Sequence, residues 1–202
     1  RVFVGIESAD TPTGRAQLVV AELERFGAFS RKVIAIGTSA GAGTVDPGEV
    51  IPLEYLANGD VATVSTQYSL LPSFLSFLVD RPNSVAESVA VIDAVRARLT
   101  QMPAEQRPSL VVFGESLGAY GASGAFADLP DLLARTDGAM FQGPPEATAL
   151  WRRYTDARQP GTPERLPVYD EGRNLRWANQ PEDLAEPVTT FDAPRVVYMQ
   201  NA

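Results

Sequence analysis

The sequence predicts an α/β domain, a mostly parallel sheet with helices on both faces. Short apolar runs rich in β-branched residues alternate with stretches of helical periodicity along the whole chain, the order that βαβ units produce. Residues 109–113 (SLVVF) read as a continuous apolar run, the kind found in parallel strands buried on both faces. The length of 202 residues suits one sizeable domain and is short for two.

The elements follow in order. Residues 1–6 (RVFVGI) predict a first strand, bounded by Glu7, Ser8 and Asp10. Pro12 suits a first helical turn, Ala16, Val19, Val20, Leu23 and Phe26 share a helical stripe, and Gly27 marks the stop. Residues 32–37 (KVIAIG) form the second strand. Asp46 and Pro47 offer a cap and first-turn pair for a short helix over residues 49–56, which Asn58-Gly59 ends. Residues 61–65 (VATVS) are the third strand, and residues 68–79 (YSLLPSFLSFLV) are the most apolar stretch of the chain.

Ser84 and Glu87 carry the spacing of a capping box, ahead of a helix whose stripe runs through Val85, Val89, Ile92, Val95 and Leu99 to about Gln101. After residues 109–113, the small residues Ala119, Gly121, Ala122, Gly124 and Ala125 predict a helix packed close against a sheet. Gly138–Gln142 (GAMFQ) is the next strand, followed by Gly143-Pro144-Pro145. Residues 146–189 are less regular, with a helix expected near 149–157 and a hairpin around 170–173 (DEGR); residues 195–200 (RVVYMQ) are the last strand. Repeats, low-complexity tracts and charge blocks are absent from the sequence.

Composition narrows the function. With 17 Lys and Arg against 25 Asp and Glu, the net charge is −8, which disfavours binding to a phosphate backbone, so nucleic acid is not an expected partner. Every apolar stretch falls short of the roughly 20 residues that cross a bilayer, and the chain taken by itself is expected to be soluble. The sequence has no Cys and no His, which removes thiol nucleophiles, disulfides and zinc sites built on thiolate or imidazole. No metal or other cofactor is expected. A nucleotide-binding domain would need a G-x-G-x-x-G or G-K-[ST] signature, and neither occurs. Lys32 is the sole lysine while Ala, Gly, Pro and Val abound, a bias expected of a GC-rich bacterial coding sequence.

One motif carries chemistry. Gly114-Glu115-Ser116-Leu117-Gly118 is a G-x-S-x-G pattern between an apolar strand and a small-residue helix. Its physical sense is a sharp strand-to-helix turn that holds a serine hydroxyl above the sheet edge. The serine backbone is strained, its neighbours two residues away must be small, and the following helix points its positive end at the reaction centre. Ser116 is therefore the candidate nucleophile, and the Leu117 N–H one candidate oxyanion donor. The alternative is a purely structural turn. A serine nucleophile also needs a general base, and with no His the usual imidazole must come from outside these residues.

From about Lys32 to Gln200 the chain resembles the α/β-hydrolase superfamily. More narrowly, residues 43–47 (GTVDP), 67–80 (QYSLLPSFLSFLVD), 112–121 (VFGESLGAYG) and 134–145 (ARTDGAMFQGPP) are similar to a bacterial branch in which a hydrolase domain follows a multi-pass membrane region. The resemblance implies a single α/β-hydrolase-like domain over residues 1–202, with residues 146–194 as a possible cap or insertion. It implies triad members in the chain order Ser, acid, His. The strand at residues 195–200 matches the one whose far end supplies the acid, so the acid and His are expected beyond Ala202, leaving the fold incomplete at its C-terminal end. Glu146 matches a less common acid position, against which stands a plain solvated carboxylate.

The second oxyanion donor is expected from the loop after Gly37, making the backbone amides of Thr38 or Ser39 the candidates; Gly41 and Gly43 equally suit an ordinary flexible loop. Tyr68, Leu71, Phe74, Phe77 and Leu78 suit an acyl pocket or core packing, and Tyr120 suits the same cleft or a helix contact. Trp151 and Trp177 belong to a cap or to a small core of the irregular stretch. The expected function is a serine hydrolase of esterase or lipase type, forming an acyl-enzyme on Ser116 from a small-molecule or lipid ester, with membrane association through a segment outside this chain. The alternatives are an acyltransferase using the same machinery and a non-catalytic domain that binds a lipid or a partner protein.

Overall fold

The computed structural model describes residues 1–71 and 73–200, apart from the side chains of residues 73, 74 and 77. Seven strands are described: β1 (Val2–Val4), β2 (Val33–Thr38), β3 (Val61–Thr66), β4 (Ser109–Glu115), β5 (Gly138–Gln142), β6 (Leu175–Ala178) and β7 (Arg195–Met199). They form one sheet in the order β1-β3-β2-β4-β5-β7-β6, with every neighbouring pair parallel. The helices are α1 (Pro12–Arg25), α2 (Pro47–Leu56), α3 (Ser73–Val79), α4 (Arg81–Thr100), α5 (Leu117–Gly124), α6 (Leu129–Arg135) and α7 (Ala149–Asp156).

Successive residues of a strand face opposite sides of a sheet, and here the two faces are packed unequally. Ile34, Ile36, Val64, Leu110, Val112 and Phe141 join the larger core with Val19 and Leu23 of α1 and Ile92 and Val95 of α4. Each such buried side chain contributes roughly 1.5–3 kcal/mol relative to exposure. Ala35, Val61 and Phe113 form the smaller cluster of the other face with Val50 of α2. Both faces therefore carry helix, as the uninterrupted apolar runs require.

Most helix starts follow the sequence. The Thr11 hydroxyl accepts from the Gly14 amide at α1, the Asp46 carboxylate from the Gly48 amide at α2, and the Asp128 carboxylate from the Asp131 amide at α6, each satisfying an amide that the helix ladder leaves open. The expected capping box at Ser84 and Glu87 does not form. The helix begins three residues earlier, at Arg81, with Pro82 in the first turn where its missing N–H costs nothing. Glu87 lies instead inside α4, paired with Arg15 of α1 at 2.6 Å, and both side chains are almost fully buried. Ser84 donates to the Leu117 carbonyl at 3.2 Å.

The hairpin expected at residues 170–173 is also absent. Asp170–Gly172 is a 3-10 turn, and the strand that follows, β6, pairs parallel with β7 at the edge of the sheet. Buried Arg176 on β6 gathers the irregular segment by donating to the carbonyls of Gly172, Leu184 and Thr189. Trp177 joins the main core and stacks on Tyr198 with ring centroids 5.9 Å apart, and Trp151 donates from its indole to Gln200 Oε1 at 2.8 Å. Among the described residues no helix is long and apolar enough to cross a membrane.

Candidate active site

Because β2 and β4 are parallel neighbours in register, with Thr38 opposite Gly114, the residues that follow both strands meet at one edge of the sheet. β4 runs to Glu115 and α5 starts at Leu117, so Ser116 alone makes the reversal from strand to helix. It does so with φ 53° and ψ −117°, a left-handed conformation that costs a non-glycine residue of order 1–3 kcal/mol. The surroundings hold it there. The Ser116 amide donates to the Gln142 carbonyl at 2.8 Å, and the Tyr120 amide donates to the Ser116 carbonyl at 3.0 Å.

Both glycines of the motif are fixed by close approach. A Cβ on Gly114 would lie 2.6 Å from the Gly118 carbonyl carbon, and one on Gly118 would lie 2.2 Å from the Thr38 carbonyl oxygen. The turn can seat on β2 only with hydrogen at these two positions. Ser116 is exposed, whereas Leu117 is buried. The Leu117 amide heads α5, where no carbonyl within the helix reaches it and the helix dipole is positive.

The other sequence-predicted residues lie around this edge. Thr38 ends β2 and is buried, its hydroxyl 3.0 Å from that of Ser88. Ser39 is buried and donates to the Thr66 carbonyl at 2.9 Å. The loop beyond is tied down: the Ser69 amide donates to the Gly41 carbonyl at 3.2 Å, and the Ser69 hydroxyl to Asp80 at 2.6 Å. Tyr68 follows β3 and is buried near Ser84 and Asp80, and that burial pushes its hydroxyl up to about 12. Tyr120 is half-buried on α5, one turn after Ser116. Phe74 and Phe77 have side chains outside the described residues. Glu146 is exposed in the turn that follows β5.

Two residues that the sequence did not single out complete the picture. Glu49, in the first turn of α2, and Glu115, the residue before Ser116, line one pocket of about 240 Å³ together with Thr38, Ala40, Thr44, Asp46 and Pro47. Glu49 is 8% exposed, and its two carboxylate oxygens have no hydrogen-bond partner among the described residues. Burial, then the negative charges of Glu115 and Asp46, push its carboxyl up to about 7. In sequence, Glu49 reads as an ordinary first-turn acid of a helix; its burial is a tertiary feature.

A serine hydroxyl presented on a locked, strained turn, a helix amide beside it and a polar pocket flanking it form an arrangement suited to attack on a carbonyl. A family model described as an alpha/beta-hydrolase family matches residues 1–202. No curated protein and no solved structure matches the chain.

Proposed function

We propose that this chain, which belongs to the α/β-hydrolase family, is a serine ester hydrolase with Ser116 as nucleophile. The observation that carries the reading is the positive φ of Ser116 between two glycines that pack without room for a methyl group. Such strain persists only where the surroundings over-determine it, and it clusters at functional sites.

In this reading Ser116 Oγ attacks the carbonyl carbon of the ester and passes its proton to a general base. The oxyanion accepts hydrogen bonds from the Leu117 N–H and from a Thr38 or Ser39 amide. Collapse breaks the bond to the alcohol, which leaves with that proton, and the acyl group stays on Ser116 until water, activated by the same base, releases it as the acid. The sequence holds no His, so an imidazole base would come from outside these 202 residues. The substrate is a small-molecule or lipid ester, and the domain meets a membrane through a segment outside this chain, as its resemblance to a bacterial membrane-linked branch suggests.

Turnover of p-nitrophenyl butyrate by the full-length gene product tests the reading. Activity abolished by Ser116→Ala supports it, and equal activity in the variant contradicts it. Product analysis in the presence of an added alcohol separates hydrolysis from acyl transfer. Absence of any turnover would favour the second reading, a domain that binds a lipid or partner, which the absence of His favours.

A further inference from the structure

The pocket beside the elbow has an unusual wall. Glu49 is nine-tenths buried, both of its oxygens are buried, and they lack partners among the described residues. An unpaired buried carboxyl costs several kcal/mol when charged and still leaves a donor and acceptor unmet when neutral. Protonation alone therefore does not satisfy it. The charged groups that act on it, Glu115 at the end of β4 and Asp46 in the loop before α2, are both negative. The Asp46 carboxylate is engaged in capping α2, and the Glu115 carboxylate is the exposed neighbour that shares the pocket.

A group that carries positive charge and several N–H donors answers all three facts. Among the described residues no set of three or more carboxylates is grouped closely enough to hold a metal ion, and a volume of about 240 Å³ suits an organic group. Thr44, which lines the same pocket, adds a hydroxyl acceptor. The net charge of −8 favours the approach of a cation. Position links the pocket to the chemistry, because Glu115 precedes Ser116 directly and Thr38 packs on Gly118.

We propose that the pocket lined by Thr38, Asp46, Glu49 and Glu115 is a subsite for a protonated amine, and that the ester attacked by Ser116 carries such an ammonium group. The first half stands on the pocket alone; the second rests on Ser116 being the nucleophile. The ammonium donates to Glu49 and Glu115, with no bond made or broken in the subsite, and fixes the orientation of the ester over the serine.

The test has two arms, both on the full-length protein. In the first, the Ser116→Ala variant is titrated with n-butylammonium chloride and, in parallel, with butan-1-ol. Saturable binding of the ammonium but not the alcohol is expected, weakened about ten-fold or more by Glu49→Gln, the scale of one charge-assisted hydrogen bond. Glu115→Gln, a change at an exposed side chain, should weaken it too. Equal affinity for the two ligands, or unchanged ammonium binding in both variants, overturns the subsite. In the second arm, Ser116 is labelled with an alkyl fluorophosphonate that ends in an ammonium group and with a neutral one of equal length. Faster labelling by the cationic probe, lost in Glu49→Gln, is expected. Equal rates overturn the claim about the substrate while the first arm still decides the subsite, and no labelling by either probe counts against the serine-nucleophile reading instead.

Discussion

The Ser116 amide donates to the Gln142 carbonyl at 2.8 Å, so the one strained residue between β4 and α5 is tied to the last residue of the neighbouring strand β5. The tie explains how the turn keeps its serine at φ 53°: extended backbone at Ser116 would break this bond and pull α5 off the sheet. Strain at one residue is thus held by contacts from β2 and β5.

Replacing Ser116 with glycine removes the penalty for positive φ and keeps the turn. Ser116→Gly is expected to raise stability in urea by about 1 kcal/mol, after allowing for the added freedom of the unfolded chain. Ser116→Ala, which keeps a Cβ, should leave stability nearly unchanged. A loss of stability in the glycine variant would show that the turn is not strained.

Gly118→Ala places a methyl group where the Thr38 carbonyl oxygen already sits, at 2.2 Å. Backbone must move, because neither partner is a flexible side chain. A loss of about 3 kcal/mol in urea unfolding is expected, with any Ser116 reactivity falling as the turn shifts on β2. A fully stable variant would contradict the close seating of α5.

The pair Arg15–Glu87 locks α1 to α4 in the core, with the Arg15 guanidinium also donating to the Ala9 carbonyl at 2.8 Å. Glu87→Gln leaves a buried guanidinium without its counter-charge and should cost about 3 kcal/mol or more. Replacing both residues by apolar ones of similar volume, Arg15→Met with Glu87→Leu, should recover most of that loss. Chemical denaturation of the two variants and the wild type measures it.

Glu49 makes stability depend on pH. Its folded-state carboxyl lies near 7 against an ordinary value of 4.5, so between these values the folded chain keeps a proton that the unfolded chain has shed. The favourable contribution is complete below about pH 4.5 and is lost as pH rises through about 7. The stability of the wild type relative to Glu49→Gln should fall by about 1–2 kcal/mol between roughly pH 5 and 8, less than the whole shift implies because the pocket opens to water. A flat difference across that range would contradict the burial of the carboxyl.

How much of this was legible in the sequence follows from what each signal depends on. Strands β2 to β5 were legible because burial on both faces leaves uninterrupted apolar runs, and the turn at Ser116 because its glycines are a local steric need. The start of α4 was misread because Ser84 and Glu87 have capping-box spacing, yet the spacing is blind to Arg15, which sits 72 residues away and claims the carboxylate. The 170–173 segment was misread because turn residues announce a reversal without saying which strand comes next; β6 pairs with a strand that follows it in sequence and runs parallel. The pocket at Glu49 was invisible for the same reason as the Arg15 pair, since a helical acid looks solvated until the opposing strand is known.

Peptide mapping after fluorophosphonate treatment tests the central claim most directly. The account predicts a phosphonyl adduct on Ser116 in the full-length gene product, its absence in Ser116→Ala, and little labelling of the 202-residue chain by itself. An adduct confined to another residue, or no adduct in the full-length protein, would contradict Ser116 as the nucleophile.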